Sequence, residues 1–166
     1  MPREYRFIAD AMLGRLAKWL RLLGFDTLYY PDISDVSLLK IARQEDRIIL
    51  TRDTHFLRIK NLKDYLFINS NNTFEQLVEV IKALDINGAV LYSAVKEFNL
   101  SRCIKCNGIL IDVKEKKDVG GLVPEHIYIQ FNKFLRCQDC GNVYWEGTHM
   151  KRFRERILEI LKRETP

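Results

Sequence analysis

Three aspartates stand where they could act together on a phosphate ester. Asp10 closes the run "YRFIAD", Asp53 closes "RIILTRD", and Asp35 follows Ser34 where a helix is expected to begin. Each lies at a position where a strand of a parallel sheet ends or its following helix starts, and open α/β sheets bind ligands in the crevice outside the strand carboxyl ends. Three carboxylates in one crevice repel one another unless a cation neutralises them, which makes this set a candidate site for a hard metal ion. Mg²⁺ or Mn²⁺ in such a site activates a water and stabilises the charge that develops on a phosphodiester oxygen. The competing assignments are local: Asp35 as a cap or a partner of the helix dipole, and Asp10 and Asp53 as caps or turn residues. Asp32, Asn69 and Ser70 also lie at strand ends and are lesser candidates for the same shell, with turn formation as the alternative.

A second constellation is made of cysteines. Cys103 and Cys106 stand in "CIKC", and Cys137 and Cys140 in "CQDC". Two Cys-x-x-Cys pairs in a chain expected among reducing thiols fit one tetrahedral zinc better than a disulfide framework. The 30 residues between the pairs leave room for a hairpin or two between the metal knuckles. A redox pair is the alternative, but neither motif opens a helix after a strand as a thioredoxin-like site requires. Around the acids, Arg15, Lys18 and Arg21 recur every third residue of the first helix. They form a slanting stripe that is either a solvated face or a path for a phosphate backbone. Arg52, beside Asp53, is a candidate for the same role, with a surface ion pair as its alternative.

These residues need elements to hold them, and the order of elements is legible. Residues 5 to 85 alternate short apolar strands with amphipathic helices: "YRFIAD", a helix over "MLGRLAKWLRLLG", "DTLYY", a helix over "SDVSLLKIARQED" capped by Ser34, and a strand over 47–51. A short helix near 55–61, the strand "YLFIN" and a helix from Thr73 to about Leu84 complete the series. Repeated strand-helix order predicts a parallel, right-handed α/β layer structure. The last third reads as alternating or short β segments around the cysteines, "CIKCNGILIDVKEKKD" and "HIYIQFNKFLRCQDCGNVYW", followed by an amphipathic helix over about 150–163 with Phe153, Ile157, Ile160 and Leu161 on one face. The domain boundary is expected near residue 100, giving segments 1–100 and 101–166.

Composition narrows the class. A chain of 166 residues with 47% hydrophobic and 30% charged residues suits one globular domain, or one with a small appendage. The net charge is +5, and residues 101–166 hold 13 Lys+Arg against 9 Asp+Glu, so most of the excess lies in the last third. That balance is compatible with a nucleic-acid partner. The apolar stretch "AMLGRLAKWLRLLGF" is interrupted by Arg15, Lys18 and Arg21, so it reads as neither a membrane span nor a signal-peptide core. A cytoplasmic location without a membrane partner is the default expectation.

At "FIADAMLGRLAKWLRLLGFDT", "SD", "IILTRD", "SRCIKCN" and "CQDCGNVYWEGTH" the sequence resembles the PIN-like RNase domain found at the carboxyl end of the Mut-seven exonuclease and as free-standing prokaryotic proteins. The match covers nearly the whole chain, and the combination is far more specific than any one piece. The resemblance implies a PIN-like parallel sheet flanked by helices, with a small carboxyl-terminal β-rich zinc ribbon and a terminal helix. It also implies metal-dependent RNA cleavage, with Asp10, Asp35 and Asp53 as the acids holding Mg²⁺ or Mn²⁺ and a structural zinc on the cysteines. Trp145 and His149 belong to the "YWEGTH" motif, either stacking on a base and touching a phosphate or, for the aromatic, packing beneath the zinc knuckle. With four cysteines available, His149 is not expected to bind zinc. The leading expectation is an endoribonuclease acting on RNA, with the ribosome or a ribosomal RNA precursor as a candidate partner. The rivals are a non-catalytic RNA- or ribosome-binding module of the same fold, and a zinc-ribbon protein that binds other proteins.

Overall fold

Apolar runs without polar alternation require a sheet covered on both faces, and that is how the first half of the chain folds. The computed structural model describes residues 5–88, 91 and 100–164. The chain forms two compact units, Met1–Ile86 and Asn87–Pro166. Residues 87–100, placed by the sequence reading with the first segment, fall with the second unit, and most of them lie outside the described residues. No helix among the described residues is long and apolar enough to cross a membrane.

In the first unit β1 (Arg6–Ala9), β2 (Asp26–Tyr29), β3 (Ile48–Thr51) and β4 (Tyr65–Phe67) pair in parallel in the order β2-β1-β3-β4. A 3-10 turn, Ala11–Leu13, leads into α1 (Gly14–Leu22); α2 (Asp35–Glu45) joins β2 to β3, and α3 (Thr73–Ala83) follows β4. From β1 the chain moves outward to β2 and then returns past β1 to β3. Right-handed crossovers in opposite directions put α1 and α2 on opposite faces, and the winding reverses between β1 and β3. Ile8 sits opposite Ile49 in the register, and both pack with Leu38 and Ala42 of α2 and with Phe56. The alternate residues Phe7, Ala9 and Leu50 are equally buried, as a period of two demands. On α1, Trp19 meets Phe74 of α3 edge to face, with ring centroids 4.0 Å apart.

At the amino edge of this sheet an ionic clasp ties three strands. Arg47, 4% exposed, donates to Asp26 Oδ1 at 2.7 Å, to Glu45 Oε2 at 2.8 Å and to Phe7 O at 3.1 Å. Burial opposes its charge, but the hydrogen bonds and attraction from Asp26 and Glu45 outweigh that and raise its pKa above the ordinary arginine value. Truncating one partner of such a pair leaves the other charge uncompensated. Arg47→Ala is therefore expected to destabilise the first unit by about 3 kcal/mol, the lower end for a buried pair because Arg6 also reaches Asp26 at 3.4 Å. Urea unfolding checks this; an unchanged midpoint would mean the clasp is neutral.

The second unit carries an antiparallel sheet of β5 (Leu110–Asp112), β6 (Leu135–Cys137) and β7 (Val143–Tyr144) in that order. Its small core centres on Val119, Val123 and Phe134. One expected β segment is helical instead: "HIYIQ" lies in α4 (Glu125–Gln130), entered through Pro124. As a strand it would put Ile127 and Ile129 on one face. As a helix it turns Ile127 and Phe131, four residues apart, onto the core and leaves Ile129 70% exposed. The terminal helix α5 (Thr148–Glu164) has Ile157 and Leu161 buried, on the face the periodicity predicted.

Candidate functional site

The carboxyl ends of β1 and β3 lie side by side at the point where the winding reverses, and Asp10 and the segment Thr51 to Asp53 occupy them. The Asp10 backbone N–H donates to Leu50 O at 2.9 Å, continuing the ladder by one residue. Asp10 itself is 6% exposed. Its Oδ2 accepts from the Thr51 hydroxyl at 2.5 Å and from Arg52 N–H at 2.9 Å, and its Oδ1 accepts from Met12 N–H at 2.8 Å. A carboxylate oxygen has two lone-pair sites, so Oδ2 is saturated while Oδ1 keeps one. Asp10 therefore combines the cap that sequence reasoning offered as its alternative with one acceptor site left open on a carboxylate fixed at the carboxyl end of β1.

Thr51 links the two strand ends. Fully buried, it donates to Asp10 and accepts from Asp53 N–H at 2.9 Å. Asp53 Oδ1 accepts from His55 N–H at 2.8 Å, an Asx turn, while Oδ2 accepts no hydrogen bond among the described residues. Asp35 stands exposed in the first turn of α2, where the Ser34 hydroxyl caps Ser37 N–H at 3.2 Å. The acids are an all-oxygen donor set with open lone pairs, which suits Mg²⁺ or Mn²⁺ chemically. Their oxygens are not drawn together as the cysteine sulfurs are: among the described residues the cysteines form the group whose ligand atoms all lie within 4.8 Å of one another.

The neighbouring candidates divide. Arg15 and Lys18 are exposed, but Arg21 is buried, 4% exposed, and its Nε donates to Thr27 O at 2.8 Å. Arg21 fastens α1 to β2 and is not part of an exposed stripe; a three-residue repeat drifts around a 3.6-residue helix and carries its last member onto the sheet. The Arg52 guanidinium reaches Asn69 O at 3.5 Å, and its Nε is buried without a hydrogen-bond partner among the described residues. Asn69 and Ser70 are held by α3: their N–H groups donate to the two oxygens of Glu79 at 2.8 Å each, and Ser70 Oγ donates to Glu75 Oε2 at 2.5 Å. That is the turn role. Asp32 is exposed in the turn after β2. Sequence reading missed Thr51 and Glu79; the first was visible as a hydroxyl ending an apolar strand, the second only as an acid four residues after Glu75.

In the second unit the four thiols converge. Cys103 and Cys140 sulfurs lie 3.6 Å apart, and Cys106 and Cys137 sulfurs 3.5 Å. A tetrahedral zinc with ordinary Zn–S bonds separates its sulfurs by about 3.8 Å, so the cage fits that ion. Both knuckles use the same backbone device: Asn107 N–H returns to Cys103 O at 2.9 Å and Gly141 N–H to Cys137 O at 3.1 Å, and both residues are left-handed, φ 71 and φ 73. Gly108 is needed for space, because a Cβ there would come within 2.9 Å of Cys137 Sγ. Desolvation raises the pKa of Cys103, but the Tyr144 hydroxyl 3.1 Å away and the N–H groups of Cys106 and Lys105 reverse this and lower it to about 7. Desolvation and hydrogen bonds to the other three thiols push Cys106 up to about 12, against the pull of Gly108 N–H. Trp145 packs against the ribbon core, and His149 is exposed near the start of α5, away from the cage.

A four-stranded parallel α/β unit with acids at its winding reversal, followed in the chain by a ribbon with a four-cysteine cage, defines a PIN-like domain with an appendage whose cysteines fit a zinc ion. The chain belongs to the Mut7-C RNAse domain family, whose model matches residues 5–157. No curated protein and no solved structure matches it.

Proposed function

We propose that this protein is a metal-dependent endoribonuclease whose Asp10, Asp35 and Asp53 hold Mg²⁺ or Mn²⁺ and whose four cysteines hold a structural zinc. The observation that carries the reading is the coupling of Asp10 to Asp53 through Thr51 across the β1/β3 switch point, in a chain of an RNase family. An ion held by these acids would supply an activated water and would neutralise charge at the phosphodiester. The protein's own part is to fix the ligands. Thr51, Arg52 N–H and Met12 N–H lock the Asp10 carboxylate, and the His55 N–H turn sets Asp53 with Oδ2 outward. Arg52, beside Asp53 at the carboxyl end of β3, supplies positive charge near a bound phosphate, and exposed Arg15 and Lys18 lead the RNA backbone along α1.

A second reading, a non-catalytic RNA-binding module, is favoured by one observation: the acid oxygens do not form a tight ligand cluster. Added Mg²⁺ or Mn²⁺ separates the two, because the enzyme cuts labelled single-stranded RNA only with the ion and the module never does. Both readings share a binding prediction. If Arg15 and Lys18 meet phosphates, RNA affinity falls steeply with salt, and replacing both by alanine lowers the slope of log K against log salt by about 1.4. An unaltered slope would remove α1 from the RNA path. Zinc content should not change.

A further inference from the structure

The second unit holds a cavity of about 590 Å³ that the cysteine cage does not use. It lies among α4, β7 and the start of α5. Phe131, Tyr144 and Trp145 supply aromatic wall, and His126, Gln130 and His149 supply polar groups. Phe131 and Trp145 are seated against the ribbon core, so those rings are positioned by packing. Gly147 makes room for the indole, since a Cβ there would come within 3.0 Å of Trp145 Nε1. His126 and Gln130 are four residues apart and share a face of α4. The side chains of His126, Gln130 and His149 make no hydrogen bond to another described residue, so their donors and acceptors are open to a ligand.

The chemistry of this lining narrows the occupant. The volume is that of a ligand site rather than a packing defect. Flat aromatic wall suits a planar ring, and a carboxamide beside an imidazole offers hydrogen-bonding groups of the kind the edge of a nucleobase requires. Residues 101–166 carry 13 Lys+Arg against 9 Asp+Glu, an excess of +4 that favours a base attached to a phosphate backbone over a cationic ligand. We propose that this cavity takes one unstacked RNA base, laid against Phe131 and Trp145 and read along its edge by His126 and Gln130. The proposal rests on the RNA-directed reading of the protein, and it assigns to the ribbon the choice of which nucleotide is gripped.

The full-length Asp53→Asn protein, without added Mg²⁺ or Mn²⁺, permits binding to be measured with cutting suppressed. The chain has two tryptophans, so adding Trp19→Phe leaves Trp145 as the sole indole reporter. Titration with a short single-stranded RNA should quench Trp145. The same RNA carrying an abasic ribose at the gripped position should bind about tenfold more weakly, the scale of one lost base stack. His126→Ala with Gln130→Ala, both exposed and outside the core, should level the affinities of homopolymeric RNAs of different bases. This pair can be measured by RNA anisotropy without the Trp19 change. If RNA binds by anisotropy while Trp145 emission stays constant and the paired variant discriminates bases as before, the cavity holds no base and the RNA reading survives. If no RNA binds even at low salt, both fall.

Discussion

Cys137→Ser is expected to empty the zinc cage and unfold the second unit. The protein should purify with about one zinc per chain, and the variant with close to none. A structural zinc contributes about 10–16 kcal/mol of apparent binding free energy in small domains, comparable to or larger than the whole stability of a domain. Cys137 ends β6, the central strand of the antiparallel sheet, so the loss of the metal falls at the middle of the unit. Hydrogen exchange should therefore lose protection through β5, β6 and β7, while the first unit, built on residues before Ile86, keeps its own. Acid should act in the same direction. Without metal, Cys106 keeps its proton up to about 12 but Cys103 only up to about 7, so zinc must displace protons to bind. Affinity then falls as pH falls, more steeply once Cys103 is protonated too. Full zinc occupancy in Cys137→Ser would place the metal elsewhere.

Asp53→Asn should abolish most cleavage without harming the fold. Its Oδ1 accepts one N–H, from His55, and an asparagine carbonyl can do the same. What is lost is the negative charge and the open oxygen, so divalent-ion binding weakens and the cutting rate should fall about 100-fold or more. RNA affinity measured without divalent ion should hold or rise, since one repulsive charge is gone. Thermal stability without metal should also hold or rise, and the stabilisation gained on adding Mn²⁺ should shrink. Asp10→Asn would be a poor substitute. Asp10 accepts from donors at both oxygens, so an asparagine must turn its NH₂ toward either Met12 N–H or the Thr51 and Arg52 donors, at a cost of about 1–3 kcal/mol. A strongly destabilised Asp53→Asn protein would make this acid structural as well.

How much of this was legible before the structure depends on the range of the interaction involved. The parallel strands were readable because Ile48 to Leu50 and Phe7 to Ala9 lack alternation, and α2 because Ser34 caps it. The cysteine cage was readable because zinc knuckles are local. The strand order was not, since nothing in the order of elements says that β3 inserts beside β1 opposite β2; yet that order makes Asp10 and Asp53 neighbours. Arg21 was misplaced because a three-residue repeat drifts around a 3.6-residue helix, which carries its guanidinium to Thr27 O on the sheet. "HIYIQ" misled because alternation over five residues is compatible with either period, and Pro124 at its start was the better signal. The ties through Thr51 and Glu79 depend on contacts 41 and 10 residues distant, beyond any local pattern.

The central claim, that Asp53 serves a metal ion used to cut RNA, is met most directly by one side-by-side assay. Labelled single-stranded RNA is incubated with wild type and with Asp53→Asn at equal zinc content, with Mn²⁺ or Mg²⁺ added or omitted. Cleavage is expected by wild type only when the ion is added, with a rate in Asp53→Asn lower by about 100-fold or more while RNA stays bound. Cleavage by Asp53→Asn at the wild-type rate, or no cleavage by wild type with either ion, would contradict it.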